Sequence, residues 1–159
     1  MARVLNTMSL DLKIPPVALG LITAALMWLG AWSVPRLTFH VPGRPFIAGG
    51  VALVGALVSI LGVVSFKRAK TTVNPMKPES TSSLVVAGIY GVTRNPMYLG
   101  FLLILIGWAA WLSNVLALLP VAGFVIYMTV FQIRPEERAL DALFGPEFAA
   151  YKERVRRWI

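Results

Sequence analysis

Charged positions cut this chain into long uncharged runs. No Asp, Glu, Lys, Arg or His falls within 14–33 or 45–66, and a third such run covers 95–133. A helix that crosses a bilayer needs about 20 predominantly apolar residues, so the first two runs each predict one crossing. The third run is too long for one. Ser113-Asn114 interrupt it and Pro120 follows, which predicts two shorter helices over 97–112 and 115–131. The predicted fold is therefore all-α, a polytopic membrane bundle of about four transmembrane helices in a single domain. A loop over 67–96 and a tail over 135–158 would lie outside the bilayer.

The chain start does not read as a cleaved leader. Arg3 is a weak positive region, and Asp11, Lys13 and Pro15-Pro16 stand before the first apolar run in place of a cleavage site. The first helix is expected to be retained, with its prolines in the first turn, where a missing amide proton costs little. The tail reads as helical but not membrane-spanning. Pro135 suits a first helical position, Glu136-Glu137 then fall where the helix dipole favours acids, and Gly145-Pro146 mark a break. Apolar residues at Leu140, Leu143, Phe144, Phe148, Tyr151, Val155 and Trp158 give the tail one apolar stripe. It could pack over the end of the bundle or lie among headgroups, with Arg156, Arg157 and Trp158 as interfacial anchors. In the loop, Thr71-Thr72-Val73-Asn74-Pro75 and Lys77-Pro78 predict ordered turns.

Composition strengthens the membrane reading: 57% of residues are hydrophobic and 14% charged, against about a quarter charged in soluble domains. The net charge of +8 has a topological explanation. With four helices, the N-terminal segment, the 67–96 loop and the tail share one side and hold every Lys and Arg except Arg36 and Arg44. Basic segments stay cytoplasmic, so both termini are expected there, at the inner membrane if the cell is bacterial. Anionic lipid is a sufficient partner for this charge. No basic patch interleaved with aromatics calls for nucleic acid. The absence of cysteine removes thiolate catalysis and thiolate metal sites, and the lone His40, on an outer loop, is expected to be a solvated or packing residue. No metal is expected. The glycines Gly20, Gly30, Gly49, Gly50, Gly55 and Gly62 suggest close helix packing.

The candidate chemistry lies on the basic side. Pro96 biases Asn95 toward an extended conformation and predicts a helix start, where free amides and Arg94 could hold a carboxylate. Glu136 or Glu137 could accept hydrogen bonds from an amine or ribose hydroxyls. From spacing alone, Arg94 could equally be a topological anchor and the two glutamates helix caps. Because helices three and four form a hairpin, their polar ends should be neighbours.

The run Arg94-Asn95-Pro96-Met97-Tyr98-Leu99-Gly100, a helical hairpin, then Glu136-Glu137, Phe144-Gly145 and Tyr151 resembles the isoprenylcysteine carboxyl methyltransferase and phospholipid methyltransferase superfamily. With Leu84-Val85, Gly88-Ile89-Tyr90 and the closing segment Tyr151 to Trp158, the resemblance covers about 71–159. It implies a membrane-embedded enzyme that uses S-adenosylmethionine without a Rossmann domain. It further implies that Leu84, Val85, Tyr90, Asn95, Pro96, Met97, Tyr98 and Glu136 or Glu137 line the cofactor site. Gln132 and Arg134 would approach the substrate, and Arg94, Arg134 and Glu137 would serve the chemistry. Many members have His where this chain has Asn95, so an imidazole role does not transfer. The acceptor would be a lipophilic small molecule or lipid-anchored group presenting a carboxylate, thiol or amine. The first two helices carry no recognised motif.

Other classes fit less well. A proton-coupled transporter needs an ionisable group at membrane depth, and the four predicted spans have none in their interiors. A sterol-reductase-like NADPH enzyme would share the C-terminal pattern but is usually built on a longer chain. A non-catalytic membrane binding protein that retains the fold is the remaining alternative. Acceptor identity and oligomeric state stay open at this level.

Overall fold

The computed structural model describes residues 10–69 and 76–159. The turn expected at Thr71-Thr72-Val73-Asn74-Pro75, and Arg3, lie outside the described residues. The chain forms an all-α membrane bundle, and among the described residues no strand is present beyond one isolated bridge, Thr38 to Asn114. Helix α1 spans Pro16–Ser33, α2 Arg44–Arg68, α3 Pro96–Leu112, α4 Leu118–Tyr127, α5 Arg134–Phe144 and α6 Pro146–Arg154. Three helical stretches are long and apolar enough to cross a membrane: Pro16–Ser33, Arg44–Arg68 and Val115–Phe144. Helix α3 is a shorter apolar helix of 17 residues; at 1.5 Å per residue it is about 26 Å long, close to the roughly 30 Å hydrocarbon thickness.

Local sequence sets the breaks. Gly43, at φ 67°, turns the chain into α2. Pro96 occupies the start of α3, and Ser113 ends it in the left-handed region at φ 48°. Asn114 then ties this tip to the α1–α2 connection, donating from Nδ2 to Val34 O and Thr38 Oγ1, both at 3.0 Å. The Phe39 amide adds a bond to Ser113 O at 2.8 Å. His40 is exposed on the same connection.

One expectation fails at Pro135. The tail helix does not begin there; α4 continues into α5 through a π-helical segment, Met128–Ile133. Proline has no amide hydrogen and its ring crowds the carbonyl four residues back, here Phe131. The helix responds by widening, and the Arg134 amide bonds Thr129 O, five residues back. The released Phe131 carbonyl accepts the Leu12 amide at 2.9 Å. Asp11 pairs with Arg138 at 2.9 Å beside it. The segment before α1 thus supplies the partner that lets the helix pass through proline.

Helix α3 is the centre of the bundle. It packs along the length of α2, and α1 packs on both α3 and α4, whereas α2 makes no extended contact with α4 or α5. Leu19, Met27, Leu105, Ala109, Phe124 and Met128 form the core between α1, α3 and α4, and Trp108 Nε1 donates to Ala24 O at 3.1 Å. The α2–α3 crossing is made by small residues seven apart. A Cβ on Gly55 would lie 2.6 Å from Gly100 O, and one on Gly107 2.7 Å from Ala48 O. A Cβ on Gly100 would collide with Ser59 Oγ and Gly55 O. The close-packing expectation therefore holds for Gly55 and Gly62. Gly20, Gly49 and Gly50 meet nothing within 4 Å, and Gly30 has only ordinary contact with Leu116.

This contrast is testable. Gly100→Ala is expected to cost about 1–3 kcal/mol through overpacking and to lower the thermal midpoint of the detergent-solubilised protein. Gly49→Ala should leave the midpoint unchanged. Equal midpoints for the two variants would contradict the tight crossing.

Candidate active site

Between the C-terminal end of α2, the start of α3, the π segment with α5, and α6 lies a cleft of about 800 Å³ including its mouth. Its apolar walls are Phe66, Leu84, Val85, Met97, Ile133, Leu140 and Phe148, with the aromatic faces of Tyr90, Tyr98 and Tyr151. Leu84 packs on Phe148 and Tyr151, which fixes the preceding loop against α6. Tyr151 Oη donates to Tyr90 O at 2.7 Å, and Phe66 meets the Tyr90 ring edge-on at 5.3 Å.

The polar groups fall into two sets. Glu136 Oε1 accepts from Tyr98 Oη and from Gln132 Nε2 at 2.6 Å. Gln132 is buried behind it and also reaches Tyr98 Oη at 3.4 Å. No hydrogen bond from the described residues occupies Glu136 Oε2. Glu137 is held differently, between two guanidinium groups. Arg94 donates to Oε1 at 2.8 Å, while Arg157 donates Nε to Oε1 at 3.1 Å and Nη2 to Oε2 at 2.7 Å. The Arg94 and Glu137 side chains are only 11% and 15% exposed, so this pairing is shielded from the screening that weakens surface ion pairs. Arg94 Nε is buried without a partner among the described residues.

Burial, with Tyr151 and Glu136 nearby, holds the Tyr90 phenol above its ordinary range. Burial pushes Tyr151 up to about 12. Both phenols are therefore neutral near pH 7; both supply aromatic surface, and Tyr151 acts as a hydrogen-bond donor. The hydrogen bond to Glu137 raises the Arg157 guanidinium further, so that cation is permanent.

Of the residues singled out from sequence, the cleft brings together Leu84, Val85, Tyr90, Arg94, Asn95, Met97, Tyr98, Glu136 and Glu137. Pro96 is buried beneath this surface and packs toward Gly62 of α2. Gln132 supports Glu136 from behind. Arg134 is exposed and does not line the cleft. Sequence reasoning missed Arg157 as a partner of Glu137, and Phe66, Phe148 and Tyr151 as cleft walls. Phe148 was visible only as part of an apolar stripe, Tyr151 as part of that stripe and of the family resemblance, and Arg157 as an interfacial anchor. Among the described residues, no group of acidic or histidine side chains could hold a metal ion.

The closing segment of the chain completes the site. The Arg94 amide donates to Arg156 O at 3.0 Å, and Asn95 Nδ2 donates to Arg157 O at 2.9 Å. Trp158 inserts against the core and donates to Thr129 Oγ1 at 3.3 Å.

Known proteins give this geometry a context. The family model for phospholipid methyltransferase matches residues 44–147, and so includes α2, which carried no recognised motif in the sequence reading. An uncharacterized protein of Haemophilus influenzae is 49% identical over 63 residues, 40% of this chain and 100% of that protein. Protein-S-isoprenylcysteine O-methyltransferase B of Arabidopsis thaliana is 27% identical over 103 residues, 65% of this chain and 52% of the relative. The protein-S-isoprenylcysteine O-methyltransferase of Saccharomyces cerevisiae is 39% identical over 80 residues, 50% of this chain and 33% of the relative. The chain thus spans about half the length or less of these named methyltransferases. No solved structure matches it. A match across both sides of the cleft, from the start of α2 to the start of α6, carries the assignment: the chain belongs to the phospholipid methyltransferase family, within the superfamily that includes the isoprenylcysteine methyltransferases.

Proposed function

We propose that the chain is a membrane methyltransferase that transfers a methyl group from S-adenosylmethionine to a lipophilic or lipid-anchored acceptor at the cytoplasmic face. The observation that carries the reading is one cleft with unused polar valence of both signs. Glu136 Oε2 takes no hydrogen bond from the described residues, and Arg94 Nε is buried without a partner. A zwitterionic amino-acid moiety needs this pair of complementary groups, and aromatic walls suit both an adenine ring and a sulfonium cation. The residues therefore fit S-adenosylmethionine. Arg94 would hold its carboxylate, Glu136 its ammonium, and Tyr90, Tyr98, Phe66 and Phe148 its flatter and cationic parts.

When bound, this cofactor supplies a methyl group already activated by its attachment to a sulfonium. What remains for the chain is alignment and exclusion of water. Tyr98 and Gln132 fix one oxygen of Glu136 and leave the other aimed by geometry rather than by chance rotation. Leu84, Val85, Ile133 and Leu140 keep the cleft apolar. Glu137 is committed to two guanidinium groups, so using it as a general base would first require breaking them away. That arrangement favours an acceptor whose nucleophile, carboxylate or thiolate, arrives already deprotonated; an amine acceptor would need another proton acceptor. Arg134, outside the cleft, would meet the acceptor only at the headgroup level. The acceptor is proposed to enter from the bilayer beside Phe66, which lines the cleft at the end of α2.

Two outcomes are expected. In calorimetry on purified protein in nanodiscs, S-adenosylmethionine should bind, and Glu136→Gln should weaken binding by about tenfold or more, as for loss of a charge-assisted contact. Undiminished binding by Glu136→Gln would remove Glu136 from the site. Incubation of membranes with isotopically labelled methyl donor should produce a lipid-soluble species heavier by a labelled methyl, read by mass spectrometry. Label confined to the aqueous fraction would argue against a lipophilic acceptor.

A further inference from the structure

We propose that Arg157, in the last turn of chain beyond α6, is a positioning residue that keeps Arg94 available to a ligand carboxylate. The proposal rests on the methyl-donor reading and gives a role to a residue that lies beyond the family match, which ends at 147.

The argument starts from competition for one carboxylate. A guanidinium beside a lone carboxylate tends to form a two-pronged pair that uses both oxygens. Arg94 does not do so here. It reaches Glu137 Oε1 alone, through Nη2 at 2.8 Å. Arg157 takes both oxygens instead, at 3.1 and 2.7 Å. Arg94 is left with its Nε buried and unpartnered, although its side chain is only 11% exposed. An unmade hydrogen bond on a buried cation is costly, which is expected of a group shaped for a ligand rather than for the resting fold.

Charge gives the same answer. Two guanidinium groups against the single carboxylate of Glu137 leave this cluster one positive charge in excess. That excess suits an anionic group and would vanish without Arg157. The backbone holds Arg157 in register: its carbonyl accepts from Asn95 Nδ2 at 2.9 Å and Thr93 Oγ1 at 3.4 Å. The Arg94 amide is fixed to the neighbouring Arg156 carbonyl. Removing the Arg157 side chain would free Glu137 to rotate into a two-pronged pair with Arg94, and the carboxylate site would be quenched from within.

The test uses full-length protein in nanodiscs and two ligands, S-adenosylmethionine and its decarboxylated analogue, which lacks only the carboxylate. Arg157→Gln should raise the Kd for S-adenosylmethionine by about tenfold or more, the size of one charge-assisted contact. It should leave the analogue's Kd within about twofold. Arg157→Lys, which keeps charge but loses the fork, should fall between, and should carry the comparison if Arg157→Gln does not fold. In turnover, the donor KM should rise while kcat holds, the signature of lost binding common to ground and transition states. Equal weakening of both ligands, or no weakening of either, overturns the proposal. Failure of the unaltered protein to bind S-adenosylmethionine is a different result and overturns the methyl-donor reading itself.

Discussion

The site depends on Glu137 being held by two arginines that lie 63 residues apart in the sequence. Arg94 comes from just before α3 and Arg157 from the segment after α6, and α5 presents a carboxylate between them. Removing a partly buried carboxylate from water is unfavourable unless several donors replace the lost solvation. Three guanidinium contacts do so here. The cluster therefore fixes three segments at once. It closes the tail over the cleft, orients the helix that carries Glu136, and sets the approach of the Arg94 loop.

The membrane scaffold makes the meeting possible through two departures from regular helix packing. At the α2–α3 crossing, Gly55, Gly100 and Gly107 remove the side chains that would separate the backbones. In lipid, close contact of this kind substitutes for a hydrophobic driving force that the solvent cannot supply. At Pro135 the helix widens into a π segment, Gln132 bonds Glu136 one turn on, and Leu12 satisfies the carbonyl the proline displaced. Such segments often occur at functional sites. The scaffold is thus strict where backbones touch and irregular where chemistry is required.

The sequence made some of these features legible and hid others, for physical reasons. Uncharged runs locate membrane helices because burying charge in hydrocarbon is costly everywhere along them, so α1, α2 and α3 were expected close to their observed bounds. Asn95-Pro96 announced the start of α3 because the restriction is local to those two residues. Pro135 misled for the opposite reason. Proline usually begins a helix, and only a donor more than a hundred residues away, Leu12, permits the helix to continue through it. Arg157 was equally obscure. Among several basic residues in the tail, a cation with a carboxylate partner in α5 is indistinguishable by composition from one facing headgroups. The glycines of α2 carried an ambiguous signal. Gly55 and Gly62 face α3, whereas Gly49 and Gly50 face away, and the repeat alone did not separate them.

Two neighbouring carboxylates then acquire different roles from helical geometry. Successive residues on an α-helix point about 100° apart, so Glu136 and Glu137 cannot share one set of partners. Glu136 turns toward Tyr98 and Gln132, uncharged donors that leave its second oxygen open. Glu137 turns toward Arg94 and Arg157, which use both of its oxygens. Glu136 is held by neutral donors, whereas the charge of Glu137 is already met by two guanidinium groups. A pair that reads in sequence as interchangeable is thereby divided between two sets of partners, and the division follows from which helix face each residue occupies.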